Sequence, residues 1–200
     1  MDSRAIADLI LYLGRIASGD GHAGGLTPVQ WAALRYFARA NRFSRTPSAF
    51  AAFHGSTRGT ASQTIKGLVA RGLLTQTRSE SDGRSVRLDL TDKAGALIAE
   101  DPINALVQAA GALPRGVRGN FSAALQRVLG GIVSDSGKPM FGTCETCTYF
   151  KGEGCCQDGR TECECRFLDE ALMEHELGGL CINFASGKSA PSPTSDIGTA

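Results

Sequence analysis

The stretch from Gly55 to Leu90 constrains this chain most: it reads as a short helix, a sharp stop and a two-stranded hairpin with a basic tip. Thr57 can close the helix start with its hydroxyl. Ala61, Ile65, Leu68 and Val69 then recur at helical spacing and form one apolar face. The other face carries Arg58, Thr60, Ser62, Gln63 and Lys66. Gly72 is free to turn left-handed and end the helix. Beyond it Val86, Leu88 and Leu90 alternate with Arg87 and Asp89, the period of a half-buried strand. Asp82-Gly83 marks a tight turn between the strands. A helix face made of Thr, Arg, Ser, Gln and Lys can meet base edges and phosphates in a major groove. Arg78, Arg84 and Arg87 on the hairpin can reach the backbone or the adjacent minor groove. A merely solvated helix beside an ordinary hairpin would look similar, so the rest of the chain has to decide.

Charge separates the chain into two regions. Residues 41–87 hold eight Arg or Lys against Glu80 and Asp82, a net +6, whereas residues 144–181 hold three basic residues against nine acids, a net −6. The net charge of +1 conceals this contrast. A basic middle points to a polyanionic partner and an acidic end to a different task. No apolar run is long enough to span a membrane. The N-terminus carries Asp2 and Asp8 in an amphipathic pattern and does not read as a signal peptide. A cytoplasmic protein is expected, in which cysteines serve as thiols, ligands or redox switches.

Ile6, Leu9, Ile10, Leu13 and Ile16 form one stripe of a helix over residues 3–18. Thr27-Pro28-Val29-Gln30 combines a capping Thr, Pro at the first position and a Gln able to cap back. Trp31, Leu34, Phe37 and Ala38 are the expected core face of that helix. Thr46-Pro47 starts a short helix that Gly55 ends, Thr91 caps another, and Pro102 restarts it. Phe121, Leu125, Val128, Leu129 and Ile132 mark a last helix. The order is helix, helix, short helix, helix, hairpin, helix, helix. The fold class expected is mainly α with a small β-wing: a winged helix-turn-helix with flanking dimerisation helices and a small metal-binding C-terminal module. The end helices are more apolar than one small domain needs, which points to a homodimer reading paired half-sites.

The runs L-T-P-V-Q-W-A-A-L-R-Y (26–36), T-R-G-T-A-S-Q-T-I-K-G-L-V-A-R-G-L-L and the wing S-D-G-R-S-V-R-L-D-L-T (81–91) resemble MarR-family transcriptional regulators. The resemblance covers about residues 1–133 and implies a homodimer on double-stranded operator DNA. It implies residues 57–71 as the recognition helix, with Asp82 and Arg84 in the places of the wing's acid and arginine. The short helix T-P-S-A-F-A-A-F-H-G departs from the family's leucine-rich pattern there.

Residues 134–143 read as a linker, residues 144–184 as a cysteine-rich module and residues 185–200, rich in Ser, Pro and Gly, as a disordered tail. All seven cysteines follow residue 143. Cys144-Glu-Thr-Cys147 is a knuckle that can place two thiolates on one metal. So short a segment carries few apolar residues, and such modules usually need a metal to fold. The run resembles a cysteine-rich tail of some MarR-like and other bacterial proteins. That resemblance implies Cys144, Cys147, Cys165 and Cys181 as the ligands. Cys155, Cys156 and Cys163 remain as alternative ligands or free thiols. One knuckle and two isolated cysteines suit an iron–sulfur cluster, most readily 4Fe-4S. Zn2+ is the alternative, and thiol–disulfide chemistry without metal is a third. His175, among acids on an expected helix, reads as a surface residue.

The expected function is a dimeric DNA-binding transcriptional regulator whose cysteine cluster senses redox state, oxygen or iron. Because the module follows the last dimer-forming helix, its folding is placed to set the angle between protomers. A small-molecule-responsive repressor with structural zinc is one alternative, and a cluster-carrying accessory or electron-transfer protein another. No catalytic constellation accompanies His22, His54 and His175, so an enzyme is not expected.

Overall fold

The computed structural model describes residues 2–18, 23–78, 86–137, 139–152 and 163–186. Helix α1 (Ser3–Ser18) is followed by α2 (Pro28–Arg39), α3 (Pro47–His54) and α4 (Arg58–Ala70). Strands β1 (Leu74–Arg78) and β2 (Val86–Leu90) pair antiparallel, Leu74 opposite Leu90 and Arg78 opposite Val86. Helices α5 (Asp92–Ala99), α6 (Ile103–Gly111) and α7 (Arg115–Ser136) follow. This is the winged helix-turn-helix order with helices added at both ends. Among the described residues no helix is long and apolar enough to cross a membrane.

Local chemistry sets most of these boundaries. Thr27 accepts from the Gln30 N–H while the Gln30 side chain accepts from Thr27 N–H, a reciprocal cap on α2. Thr46, Thr57 and Thr91 accept in the same way from the amides of Ala49, Thr60 and Ala94. Each such cap is worth about 1 kcal/mol. Gly72 takes a left-handed φ of 67° just past α4, where a side chain would be strained.

Helix α2 runs through the centre of the core. Trp31, Ala33, Leu34, Tyr36 and Phe37 are buried on it, against Phe50 of α3, Leu68 of α4 and Leu73, Leu74 and Leu88 around the hairpin. Ala38 is exposed, contrary to expectation, because it faces an arginine-rich cleft while Ala33 and Tyr36 complete the buried arc. Helix α3 buries Ala49, Phe50 and Ala51. Arg35 donates to the buried Asp101 carboxylate and to Ala17 O, joining α1, α2 and the α5–α6 junction.

The apolar stripes of α1 and α7 stay uncovered within one chain. Ile6, Leu9, Ile10 and Ile16 of α1 and Phe121, Leu125, Val128, Leu129 and Ile132 of α7 are all exposed. The last helix runs to Ser136, so three residues read as linker are helical.

The cysteine-rich segment forms a three-stranded antiparallel sheet, β3 (Phe150–Lys151), β4 (Cys163–Cys165) and β5 (Glu170–Leu172), in that order. The acidic stretch read as helical is instead β5 plus a single 3-10 turn, Glu174–Glu176. Pairing with β4 claims its backbone first, Cys163 facing Leu172 and Cys165 facing Glu170. Contacts of this segment also reach beyond residues 144–184: Gly142 bridges Cys181 and Cys147 bridges Ser186.

The segment is docked against the turn between α2 and α3. Leu180 N–H donates to Arg39 O at 2.7 Å, Asn41 N–H donates to Leu180 O at 3.0 Å, and Ile182 N–H donates to Ser44 Oγ at 2.9 Å. Arg42 pairs with Glu176 at 2.8 Å and Glu170 at 3.3 Å while its guanidinium lies over Phe43. Phe141 meets Phe53 and Tyr36 edge-on.

Candidate DNA-reading face and thiol site

Helix α4 presents its two faces as its sequence dictates. Ala61, Thr64, Ile65 and Leu68 are buried against α2 and α3, and Thr64 satisfies its hydroxyl on Thr60 O. Arg58, Thr60, Gln63 and Lys66 are exposed, and Ser62 is half-buried. Thr57 and Thr60 share a hydroxyl–hydroxyl contact of 2.9 Å at the cap. Those two side chains therefore hold the helix start as well as facing solvent. Arg71 anchors the far end of the helix, donating to Gly25 O at 2.7 Å.

On the hairpin Arg78 is exposed at the end of β1. Arg84, with Asp82 and Gly83, lies outside the described residues. Arg87 is committed to an ion pair with Asp89 at 3.1 Å, and Arg45 reaches the same carboxylate at 2.7 Å. Burial alone would raise the Asp89 carboxyl, but hydrogen bonds and charge from Arg45 and Arg87 outweigh it and hold it below its ordinary range. Arg45 also donates to Ala40 O, and its own carbonyl accepts from Leu88 N–H at 2.8 Å. The α2–α3 turn is thus bonded to the base of the wing on one side and to the cysteine-rich segment on the other. Arg39, Arg42, Arg45 and Arg87, with His175 and Glu176, line a cleft of about 300 Å³ along that seam. His175 is exposed there, on a 3-10 turn and not on the expected helix.

Cys144, Cys147, Cys165 and Cys181 are free thiols, and all four line one small cavity. Three separate segments deliver them. The 3-10 turn Cys144–Thr146 carries Cys144 and leads into Cys147, β4 ends on Cys165, and Cys181 sits opposite Gly142. Gly142 is packed on the Phe184 ring, where a Cβ would come within 2.6 Å of it. Phe43, Phe150 and Leu172 supply apolar wall, and Asn41 closes the side toward α2. Burial, then the neighbouring Cys181, Cys147 and Cys165 and the Glu176 carboxylate, push the Cys144 thiol up to about 11. Burial, with Cys181 nearby, likewise pushes the Tyr36 phenol up, and its hydroxyl donates to Ser44 O at 2.7 Å. Cys163 is disulfide-bonded and so stands apart from the free thiols. Cys155 and Cys156 lie outside the described residues, as does His22.

Four thiols line one apolar pocket, a donor chemistry that suits a thiophilic metal, and Asn41, which lines the same pocket, has a buried side-chain oxygen without a hydrogen-bond partner among the described residues. Among the described residues no three His, Cys, Asp or Glu side chains gather closely enough to hold one ion directly. Asn41, Phe43, Arg42 and Glu176 carried no signal in the sequence. Their roles arise from contacts between residues more than 100 positions apart.

Residues 24–85 match the MarR family model. No curated protein matches the chain. Among solved structures the chain resembles a MarR transcriptional regulator from Methanosarcina mazei Go1, at 22% identity and a TM-score of 0.52, over 66% of this chain and 99% of that one. It resembles the transcriptional repressor CouR bound to a 23-mer DNA duplex at 25% identity and a TM-score of 0.50, over 64% of this chain and 92% of that one. The transcriptional regulator SlyA aligns at 19% identity and a TM-score of 0.50, over 66% of this chain and 94% of that one. The helix order, the capped reading helix, the hairpin and these likenesses agree: the chain contains a MarR-family domain, matched over residues 24–85, with the element order of a winged helix-turn-helix.

Proposed function

We propose that this protein is a homodimeric, DNA-binding transcriptional regulator of the MarR type whose C-terminal thiols hold an iron–sulfur cluster and make operator binding responsive to redox state, oxygen or iron. Residues 1–133 are its DNA-binding and dimerisation part, and the cysteine-rich segment is its sensing part. DNA binding is supported by the exposed Arg58, Thr60, Gln63 and Lys66 on α4 and by the likeness to CouR, which is bound to a DNA duplex. Dimerisation is supported by the uncovered apolar stripes of α1 and α7, since exposed patches of that extent mark interaction surfaces.

The observation that carries the sensing role is the convergence of four free thiols on one cavity whose fourth wall is the α2–α3 turn. Such a cluster supplies one-electron redox chemistry when bound. Cys144, Cys147, Cys165 and Cys181 would hold it, and the segment around Cys181 transmits its state. That segment is bonded to Arg39, Asn41 and Ser44, and the same turn leads to the Thr46 cap of α3 and, through Arg45, to Leu88 and Asp89 of the wing. This route differs from the one expected from chain order: the bonds lead to the reading head, where sequence position alone had suggested the angle between protomers. The delivery of four thiols to one cavity from three separate segments suits a multi-iron cluster. A second reading, a single structural zinc, is favoured by the cavity's volume of about 10 Å³, room for roughly one water.

Iron, sulfide and zinc content with a visible spectrum, on protein purified without oxygen, separates these readings. Brown protein with iron and sulfide near four per chain, roughly one full cube, supports the cluster. Colourless protein with one zinc per chain, about what a tetrahedral thiolate site binds, supports the structural metal and removes the redox role.

A further inference from the structure

Asn41 belongs to the DNA-reading half of the chain, two residues past the end of α2, yet it lines the four-thiol cavity. Its residue exposure is 3%, and its side-chain oxygen finds no hydrogen-bond partner among the described residues. Burying a polar atom in that state is costly, and native folds keep few such atoms without a use for them. A carboxamide carries two donors as well as its oxygen, and a half turn exchanges their places. That turn sets the NH2 group where the orphaned oxygen stands.

The backbone holds Asn41 in this position from both directions. Its own N–H donates to Leu180 O, Leu180 N–H donates to Arg39 O, and Ile182 N–H donates to Ser44 Oγ, so Cys181 is clamped between two anchored neighbours. Gly179 allows the approach: a Cβ there would lie 3.0 Å from Asn41 Cβ and 3.1 Å from its Cα and N. The segment that carries Cys181 therefore rests directly on Asn41, and shape at both residues enforces it.

We propose that Asn41 donates a hydrogen bond from its side-chain amide to a metal-bound thiolate of the cysteine site, so that the DNA-reading half supplies an outer-shell residue to the metal. The inference rests on the reading that these cysteines hold a metal. A metal-bound thiolate is a charged acceptor, and a donor from outside the ligand set steadies it and helps retain the ion. Asn41 is then engaged when the site is loaded and orphaned when it is not. The α2–α3 turn gains or loses one tether with the metal.

The test uses the full-length protein, its metal content measured first. Asn41→Leu keeps the volume without a donor, and Asn41→Asp keeps the shape but places an acceptor against the thiolates. Metal loss to excess EDTA is followed at fixed pH, with circular dichroism confirming that each variant is folded. Loss about tenfold or more faster in Asn41→Leu than in wild type, and faster still in Asn41→Asp, is the expected order. Wild-type retention in Asn41→Leu overturns the proposal. So does Asn41→Asp holding metal better than Asn41→Leu, because that order belongs to a residue serving only as packing. Wild-type protein that contains no iron or zinc and takes up none overturns the reading of the site itself, a result distinct from a metal-holding protein indifferent to residue 41.

Discussion

Cys144 must give up a proton before it can serve as a ligand. Burial and its neighbours push it up to about 11, so it is protonated at neutral pH in the metal-free protein. Loading with metal is therefore expected to release at least one proton per chain, and apparent metal affinity to fall as pH is lowered, because protons compete for the thiolate. A pH-stat titration of unbuffered metal-free protein checks this, and loading without proton release would contradict it. Cys165 and Cys163 are separated by one residue on β4 yet differ in role: Cys165 is a free thiol on the cavity, and Cys163 is disulfide-bonded. Cys165→Ser is expected to lose the metal and Cys163→Ser to keep it, as read by elemental analysis of the purified variants. The resemblance in the sequence favoured Cys165 over Cys163 as a ligand, and the structure separates them by placing Cys165 on the cavity as a free thiol and Cys163 in a disulfide.

Helix ends were legible wherever a single side chain sets them, which is why Thr27, Thr57, Thr91 and the Pro102 restart all stand where the sequence placed them. The acidic stretch around His175 was not legible, because its fate is decided by β4 pairing beside it and not by its own periodicity. Nor was the docking of residues 178–182 on the α2–α3 turn, which depends on pairings across most of the chain length. The amphipathic stripes of α1 and α7 were clear as patterns, and their exposure in a single chain is what supports a partner copy covering them. Replacing Leu9 with Glu, or Leu129 with Glu, places an uncompensated charge in that interface. Either substitution is expected to yield monomers by sedimentation at concentrations where wild type is dimeric. A dimer that survives both would place the interface elsewhere. On α4, Arg58→Ala with Lys66→Ala is expected to weaken operator binding and flatten its dependence on salt, by about one unit of slope for each phosphate no longer neutralised. Unchanged slope would show that these side chains do not meet the DNA backbone.

The molecule joins a basic reading head to an acidic thiol-bearing segment through one short turn. Residues 39–46 end α2, cap α3, bond to β2 through Arg45 and receive the segment that carries Cys181. Hydrogen bonds therefore run from the thiol-bearing segment to the support of the reading helix and to the wing without passing through α1 or α7. Coupling of this kind is a free-energy difference between two states of the turn, and it is reciprocal: if metal changes operator affinity, operator DNA changes metal affinity by the same factor. The most direct measurement is operator affinity, at one fixed salt concentration, for a single preparation before and after its metal is removed by a chelator and after it is restored. Affinity that shifts about fivefold or more on removal, and returns on reconstitution, is the outcome this account predicts. Equal affinity in all three states, with the metal content confirmed to differ, would contradict it and leave the thiol site a structural staple on a regulator controlled by something else.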